Sequence, residues 1–522
     1  MGPPVVDLPE RFNAVNFFVD RHVAEGRGGR VVFRFEGRSV TYGELAERVN
    51  RFGNALLGLG VEMENRVLLI LPDSPELAVG FWGAIKIGAV AVPGNTLLRA
   101  PDYAFLLNDS RAKVVVVHES LAPEIRAVRR DCRFLRHVIV TRNPRPGELG
   151  LEDLLSGASP SLTPADTSRD DVAHWAYTSG STGTPKAAVH LHHDPVYAAE
   201  LVGGQIFGIG PEDLTFSASK MFFSYGLGNS LLFPARAGGA SVLVPERIDP
   251  ERAFEVIATE RPTLFFTVPT LYARMLQVKE AERSYDHGSL RLCVSSGEAL
   301  PLALFHAWKE RFGHELLDVV GSTEALHDFI ANLPGQVRPG SSGRVIPGFE
   351  AKLVDERGNP VPPGSVGYLL IKGETTAPYY WNRHAQTKAT MLGEWLSTGD
   401  MFAQDEDGYF YAHGRSDDML KVGGMWVAPM EVEGALLEHP AVLEAGVVGR
   451  NNPDGLVKPH ASVVLKDGQV ATDALGEELR RFVRTRIAGY KVPASITFVD
   501  DLPKTSTGKI QRFRLRQQEL QD

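Results

Sequence analysis

Tyr177-Thr178-Ser179-Gly180-Ser181-Thr182-Gly183-Thr184-Pro185-Lys186 alternates small hydroxyl residues with glycines and closes on one lysine. It follows Val172, Ala173, Trp175 and Ala176, a short apolar run that reads as a strand. Glycine takes positive φ at little cost and lets backbone approach a ligand closely. Successive N–H groups in such a turn form an anion-binding concavity, and hydroxyls add uncharged donors. The lysine supplies a mobile cation suited to a polyphosphate. The spacing is not that of the P-loop G-x-x-x-x-G-K-[ST], because Gly183 lies three residues before Lys186 with Pro185 between. Taken alone, the stretch also reads as a flexible surface connector.

A chain of 522 residues exceeds what one core supports, so two or more domains are expected. A net charge of −9 argues against nonspecific nucleic-acid binding, while leaving room for a local basic patch facing an anionic substrate. The two cysteines, Cys132 and Cys293, are too few for a thiolate metal site and read as small buried hydrophobes of a reducing compartment. Met1 to Asp20 has no basic region followed by an apolar core, and no stretch approaches a membrane span. A cytoplasmic location without membrane partners is the expectation, and homodimerisation is left open.

Leu45, Val49, Phe52, Leu56 and Leu59 recur at helical spacing, and Arg66 to Leu71 is a continuous apolar run expected to be a buried strand. A helix over Ser74 to Gly88 and strands at Ala89–Pro93, Val114–His118 and Val138–Thr141 continue the alternation. Such alternation predicts a parallel sheet covered on both faces. Pro144 to Asp170 lacks periodicity and reads as a surface connector. A second α/β series runs from Ala173 to Leu333, with strands at Ala240–Val244, Leu264–Val268, Leu290–Ser295 and Leu316–Val320. Beyond Pro347 the period shifts toward two, with strands at Ala351–Val354, Gly367–Ile371 and Tyr409–Ala412, which suggests a small β-rich subdomain. From Asp417 onward, helices at Pro429–Glu438 and Asp473–Ala488 alternate with strands at Val442–Val448, His460–Leu465 and Ile496–Val499. That pattern is a separate α+β piece.

The opening stretch resembles the phosphate-binding motif of the adenylate-forming superfamily: acyl- and aryl-CoA ligases, stand-alone adenylation domains and luciferases. Four further motifs of that superfamily follow in order over nearly the whole chain. They are Gly321-Ser322-Thr323-Glu324, Ser397-Thr398-Gly399-Asp400, Gly414-Arg415-Ser416-Asp417-Asp418-Met419-Leu420-Lys421, and Pro503-Lys504-Thr505-Ser506-Thr507-Gly508-Lys509. The resemblance implies an α/β N-terminal domain (1–416) of two parallel subdomains plus the β-rich one, then a small mobile α+β domain (417–522). It also implies ATP, coenzyme A and magnesium as reaction partners of a small carboxylic acid. Thiols cannot expel oxide from a carboxylate, so the acid is first converted to acyl-AMP. That step brings two anions together, and therefore requires cations and aimed donors where charge develops.

On this resemblance Lys509 bridges the substrate carboxylate and the α-phosphate; without the motif around it, it would read as a solvated surface lysine. Lys186 and Thr178 to Gly183 cradle phosphate, Thr323 touches it, and Glu324 is associated with magnesium. One carboxylate suffices, since magnesium fills its shell with water and phosphate. Asp400 accepts from both ribose hydroxyls and Arg415 is a second ribose contact. Ser296, Gly297, Glu298 and Asp318 lie where the family holds adenine. Asp417 is the hinge between a pose that inserts Lys509 and one that turns Lys421-Val422-Gly423-Gly424 toward the site, along a pantetheine channel against which Met425 or Trp426 could pack. A plain hairpin turn is the other reading of the glycine pair. His190-Leu191-His192-His193 supplies no third zinc ligand and is expected to wall the substrate site.

Benzoate–CoA ligases and their aryl relatives are the closer resemblance, carried by Ser219 to Asn229, Ser296 to Pro301, Gly321 to His327 and the tail Leu502 to Arg516. Tyr225, Ser296, Gly321 and His327 would line the acyl pocket. The chain departs from that pattern at Ser224 and Ser296, where alanine is usual, and at Asp328, where isoleucine is usual. Asp328 either faces water or meets a donor on the substrate, which points to a hydroxylated, amino-substituted or larger acid. Ala187 stands where glycine usually follows the lysine. If that position needs positive φ or close approach to phosphate, ATP binding weakens, and the enzyme would chiefly convert preformed acyl-AMP. The same fold would also serve an adenylation enzyme that loads a carrier protein, or a noncatalytic nucleotide-binding protein.

Overall fold

The computed structural model describes residues 6–179, 185–422, 425–451, 457–504 and 510–518. Among these, a seven-stranded sheet holds Arg66–Ile70, Val90–Pro93, Val114–Val117, His137–Val140, Leu149–Gly150 and Val172–Ser179 in parallel, with Pro185–Leu191 antiparallel at its edge. Runs such as Val114–Val117 are buried on both faces, as a helix-covered parallel sheet requires. Helix Pro75–Lys86 packs so deeply that even Lys86 is buried, its ammonium bonded to both carboxylate oxygens of Asp20 at 2.7 and 2.8 Å. Helix Tyr42–Gly58 begins at a reciprocal cap, in which Thr41 Oγ1 accepts from Glu44 N and Glu44 Oε2 accepts from Thr41 N.

A nine-stranded sheet places Val31–Phe35, Ala240–Leu243, Leu214–Ser217, Leu264–Thr267, Leu292–Ser295 and Leu316–Gly321 in parallel, with antiparallel strands at both ends. Its strand Val31–Phe35 comes from ahead of the first series, so the chain enters the second sheet before it builds the first. The segment expected to be a bare connector, Pro144 to Asp170, instead holds the edge strand Leu149–Gly150 and helix Leu151–Gly157, with Leu151 and Leu155 buried. Asn50 and Asn54 bind carbonyls of Ser159, Pro160 and Ser161 and hold the remainder down.

Strands Glu350–Val354, Val366–Lys372, Trp395–Gln404 and Phe410–Arg415 form the small antiparallel sheet that the period-two pattern predicts. A separate C-terminal domain follows, where Val442–Asn451, Val457–Leu465 and Ser495–Phe498 pair under helices Pro429–Leu437 and Asp473–Arg484. It has its own core around Val432, Leu436, Val447, Val463 and Leu479. Arg274 ties the two parts together, donating to Glu444 Oε1 and Asp501 Oδ1, both at 3.1 Å. Cys132 and Cys293 are buried free thiols, as expected. Among the described residues no helix is long and apolar enough to cross a membrane.

Candidate active site

Parallel strands of one sheet end on the same side, so residues just past their carboxyl ends gather in one crevice. In the nine-stranded sheet Ser296 follows Leu292–Ser295, and Asp318 and Gly321 lie on the neighbouring parallel strand Leu316–Gly321, while Thr178 and Ser179 end Val172–Ser179 of the seven-stranded sheet. Gly180, Ser181, Thr182 and Gly183 fall outside the described residues, as do Gly423, Gly424 and Lys509.

Gly321 pairs with Asp328 in an antiparallel register, which makes Ser322 to His327 the tip of a hairpin. Ser322 Oγ accepts from Ala325 N at 3.2 Å and caps a short turn over Thr323–Ala325. Buried Leu326 reverses the chain at φ +65°, a conformation that costs a branched residue energy and persists only where packing enforces it. One six-residue tip thus carries Thr323 and Glu324 on one arm and His327 on the other.

Lys186 Nζ donates to Tyr380 Oη at 3.0 Å, and that hydroxyl donates to Glu324 Oε1 at 2.5 Å. Burial pushes the Lys186 ammonium below its usual range, and burial beside Glu324 pushes the Tyr380 phenol up. Motif reading missed Tyr380; its backbone bridges to Ala188, two residues past Lys186, a long-range contact with no local signature. Ala187 lies buried in strand Pro185–Leu191, and its φ is not positive. The alanine therefore carries no positive-φ strain, and that ground for impaired adenylation falls away.

The histidines do not wall the pocket. His190 Nε2 bonds the Thr323 carbonyl at 2.8 Å while Nδ1 meets buried Asp194 at 2.9 Å, so the pair braces the tip from behind. His192 accepts from Ala14 N, and His193 bonds the carbonyls of Arg169 and Glu374. No cluster of three metal-ligating side chains occurs among the described residues.

Arg415 reaches Thr398 O at 2.9 Å and both Asp400 and Asp417 at 3.4 Å, which gathers the two ribose candidates at the hinge candidate. Asp318 is buried, accepts from Ser342 Oγ at 2.8 Å, and is pushed up to about 8 by burial. Gly297, at φ +93°, turns the chain from Ser296 to Glu298. Glu298 Oε1 accepts from Ile510 N at 3.0 Å, so the C-terminal tail rests on the loop after Leu292–Ser295. Lys421 is exposed in a hairpin of Leu420–Val422 with Met425–Val427. Met425 is exposed there, and the glycine pair between the two strands lies outside the described residues.

On the acyl side, the Tyr225 and His327 rings lie 5.3 Å apart, and Phe233 meets His327 edge-on at 4.5 Å. His327 Nε2 bonds the Tyr225 carbonyl at 3.2 Å. A Cβ on Gly228 would come within 2.3 Å of the His327 ring, so only glycine fits there. Asp328 is 1% exposed, which removes the water-facing reading, and it accepts from Ser296 Oγ at 3.2 Å.

One hairpin tip thus joins the Lys186–Tyr380–Glu324 chain to the aromatic contacts of His327 with Tyr225 and Phe233. The chain belongs to the family of AMP-binding enzymes: the AMP-binding enzyme model matches residues 20–381, and the AMP-binding enzyme C-terminal domain model matches 431–509. Within that family it is an AMP-forming acyl-CoA ligase of the adenylate-forming superfamily. It is 46% identical over 518 residues to the benzoate–CoA ligase of Thauera aromatica, covering 98% of this chain and 97% of that one. It is 44% identical to the 4-hydroxybenzoate–CoA/benzoate–CoA ligase of Rhodopseudomonas palustris, over 98% of this chain and 94% of that one. The crystal structure of the anthranilate CoA ligase AuaEII with anthranoyl-AMP superimposes with a TM-score of 0.94 at 42% identity, covering 98% of each chain.

Proposed function

We propose that the protein joins an aromatic carboxylic acid to coenzyme A with cleavage of ATP to AMP and pyrophosphate. The acid's carboxylate oxygen attacks the α-phosphorus and pyrophosphate leaves; the CoA sulfur then attacks the carbonyl carbon of the aryl-AMP and AMP leaves. The observation that carries this reading is the hairpin tip itself, which sets Glu324, bonded through Tyr380 to Lys186, a few residues from the His327–Tyr225 aromatic contact. The benzoate, 4-hydroxybenzoate and anthranilate ligases at 42–46% identity support the aromatic class.

In this reading the backbone of Thr178 to Gly183 and Lys186 hold the phosphates. Asp400 and Arg415 hold the ribose, and Ser296 to Glu298 with Asp318 flank the base. Lys509 meets the developing charge in the first step. Glu324, with Thr323, would hold magnesium, and one carboxylate fits an ion that takes the rest of its shell from phosphate and water. Magnesium there would neutralise charge on the phosphates. The hinge is Asp417, between domains 1–416 and 417–522, and Lys421, Gly423 and Gly424 flank the incoming thiol in the second pose. The Ile510–Glu298 and Arg274–Glu444 contacts support the described arrangement as the first pose.

Incubation with ATP, magnesium, CoA and a panel of aromatic acids tests the reading. Thioester with stoichiometric AMP and pyrophosphate is expected; ADP, or no thioester from any acid, overturns it. Tyr380→Phe removes the neutral link between lysine and carboxylate. It should lower kcat/KM for ATP about tenfold, the range of one hydrogen bond to a charged group, with little change in KM for CoA. Arg274→Ala should slow aryl-AMP formation by about 3- to 10-fold and spare thioester formation from supplied aryl-AMP, because the lost contacts hold only the first pose. Stopped-flow measurement of each half-reaction separates the two.

A further inference from the structure

Asp328 pairs with Gly321 at the base of the hairpin tip, beside His327. A methyl on Gly321 would come within 2.7 Å of its Oδ1, so the carboxylate packs directly against the tip that bears Thr323 and Glu324. Oδ1 accepts from Ser296 Oγ, but Oδ2 has no aligned donor. His327 Nδ1 lies 3.0 Å from it, an ion-pair distance without the alignment of a hydrogen bond. The ring cannot turn its other nitrogen to the task. Nε2 faces the Tyr225 carbonyl, which only accepts, so that nitrogen carries hydrogen and is committed. Close by in sequence to Tyr225, the Ser224 hydroxyl is buried at 6% exposure and also lacks a partner. Buried polar atoms left unmatched are costly, and a pocket that keeps them gains when a ligand supplies the missing group. An ionised carboxylate accepts and never donates. Its complement is therefore an N–H or O–H.

We propose that this corner selects aromatic acids bearing a hydrogen-bond donor on the ring, an amino or hydroxyl group, and that Asp328 is the acceptor that reads it, with Ser224 as a second polar contact. The inference rests on the aryl–CoA ligase reading above and narrows its substrate class. Methyl, halogen or nitro groups of similar size gain nothing there, because they offer no hydrogen.

The test is kcat/KM for thioester formation with benzoate and with the three positional isomers each of aminobenzoate, hydroxybenzoate and methylbenzoate. At least one amino or hydroxy isomer should exceed both benzoate and the methyl isomer of the same position by about 10- to 100-fold. In Asp328→Ile that ratio should fall to within about threefold of unity. Asp328→Asn, nearly isosteric, should lower it in the same direction and guards against a misfolded Ile variant. Benzoate or methylbenzoate used as well as every donor-bearing isomer, or a ratio unchanged in both variants, overturns the proposal while the ligase reading stands. No thioester from any acid overturns both.

Discussion

Replacing Lys509 with alanine should cut aryl-AMP formation by about 10²- to 10³-fold or more, the cost of removing one aimed donor from a developing charge. Thioester formation from synthetic aryl-AMP should stay within about fivefold, since the leaving AMP already carries its charge and the lysine belongs to the other pose. The split follows from where the tail attaches. Ile510, the next residue, donates to Glu298 on the loop after Leu292–Ser295, while Lys421 is exposed on a hairpin of the same domain. Pyrophosphate release and CoA-dependent thioester formation from preformed adenylate are measured separately. Equal loss of both would contradict the assignment.

Glu324→Gln should lower kcat/KM for ATP by about 10²- to 10³-fold, again in the first half-reaction. The substitution is nearly isosteric and still accepts from the Tyr380 hydroxyl, so the tip should keep its shape. What disappears is the negative charge that would face magnesium. Raising magnesium should recover part of the loss, whereas raising the acid should not. Activity unaffected at every magnesium concentration would remove Glu324 from the metal role.

The α/β series, the period-two sheet and the C-terminal domain are legible in sequence because each rests on local periodicity. Helix Pro75–Lys86 and strand Val442–Asn451 differ from the expected ranges only at their ends. Strand Val31–Phe35 is not legible, since its partner Ala240–Leu243 lies some two hundred residues away in the chain. Within the site, hydroxyl-glycine and acidic motifs mark Lys186, Glu324 and Asp400, but not Tyr380, whose only role in the chain of hydrogen bonds is spatial. The histidine run invites a pocket-wall reading because alternation along a strand cannot tell which face meets substrate. His190 in fact faces Asp194 and the rear of the tip. Ala187 looks out of place until its ordinary strand geometry is seen.

A phenol held between an ammonium and a carboxylate keeps opposite charges from collapsing into a direct pair. A direct pair would have to be pulled apart whenever a triphosphate and its cation arrived, and the ligand's own affinity would supply the work. Here each charge remains poised for its counter-ion, and only a neutral link need rearrange. The crevice is in this sense already set for an ionic guest.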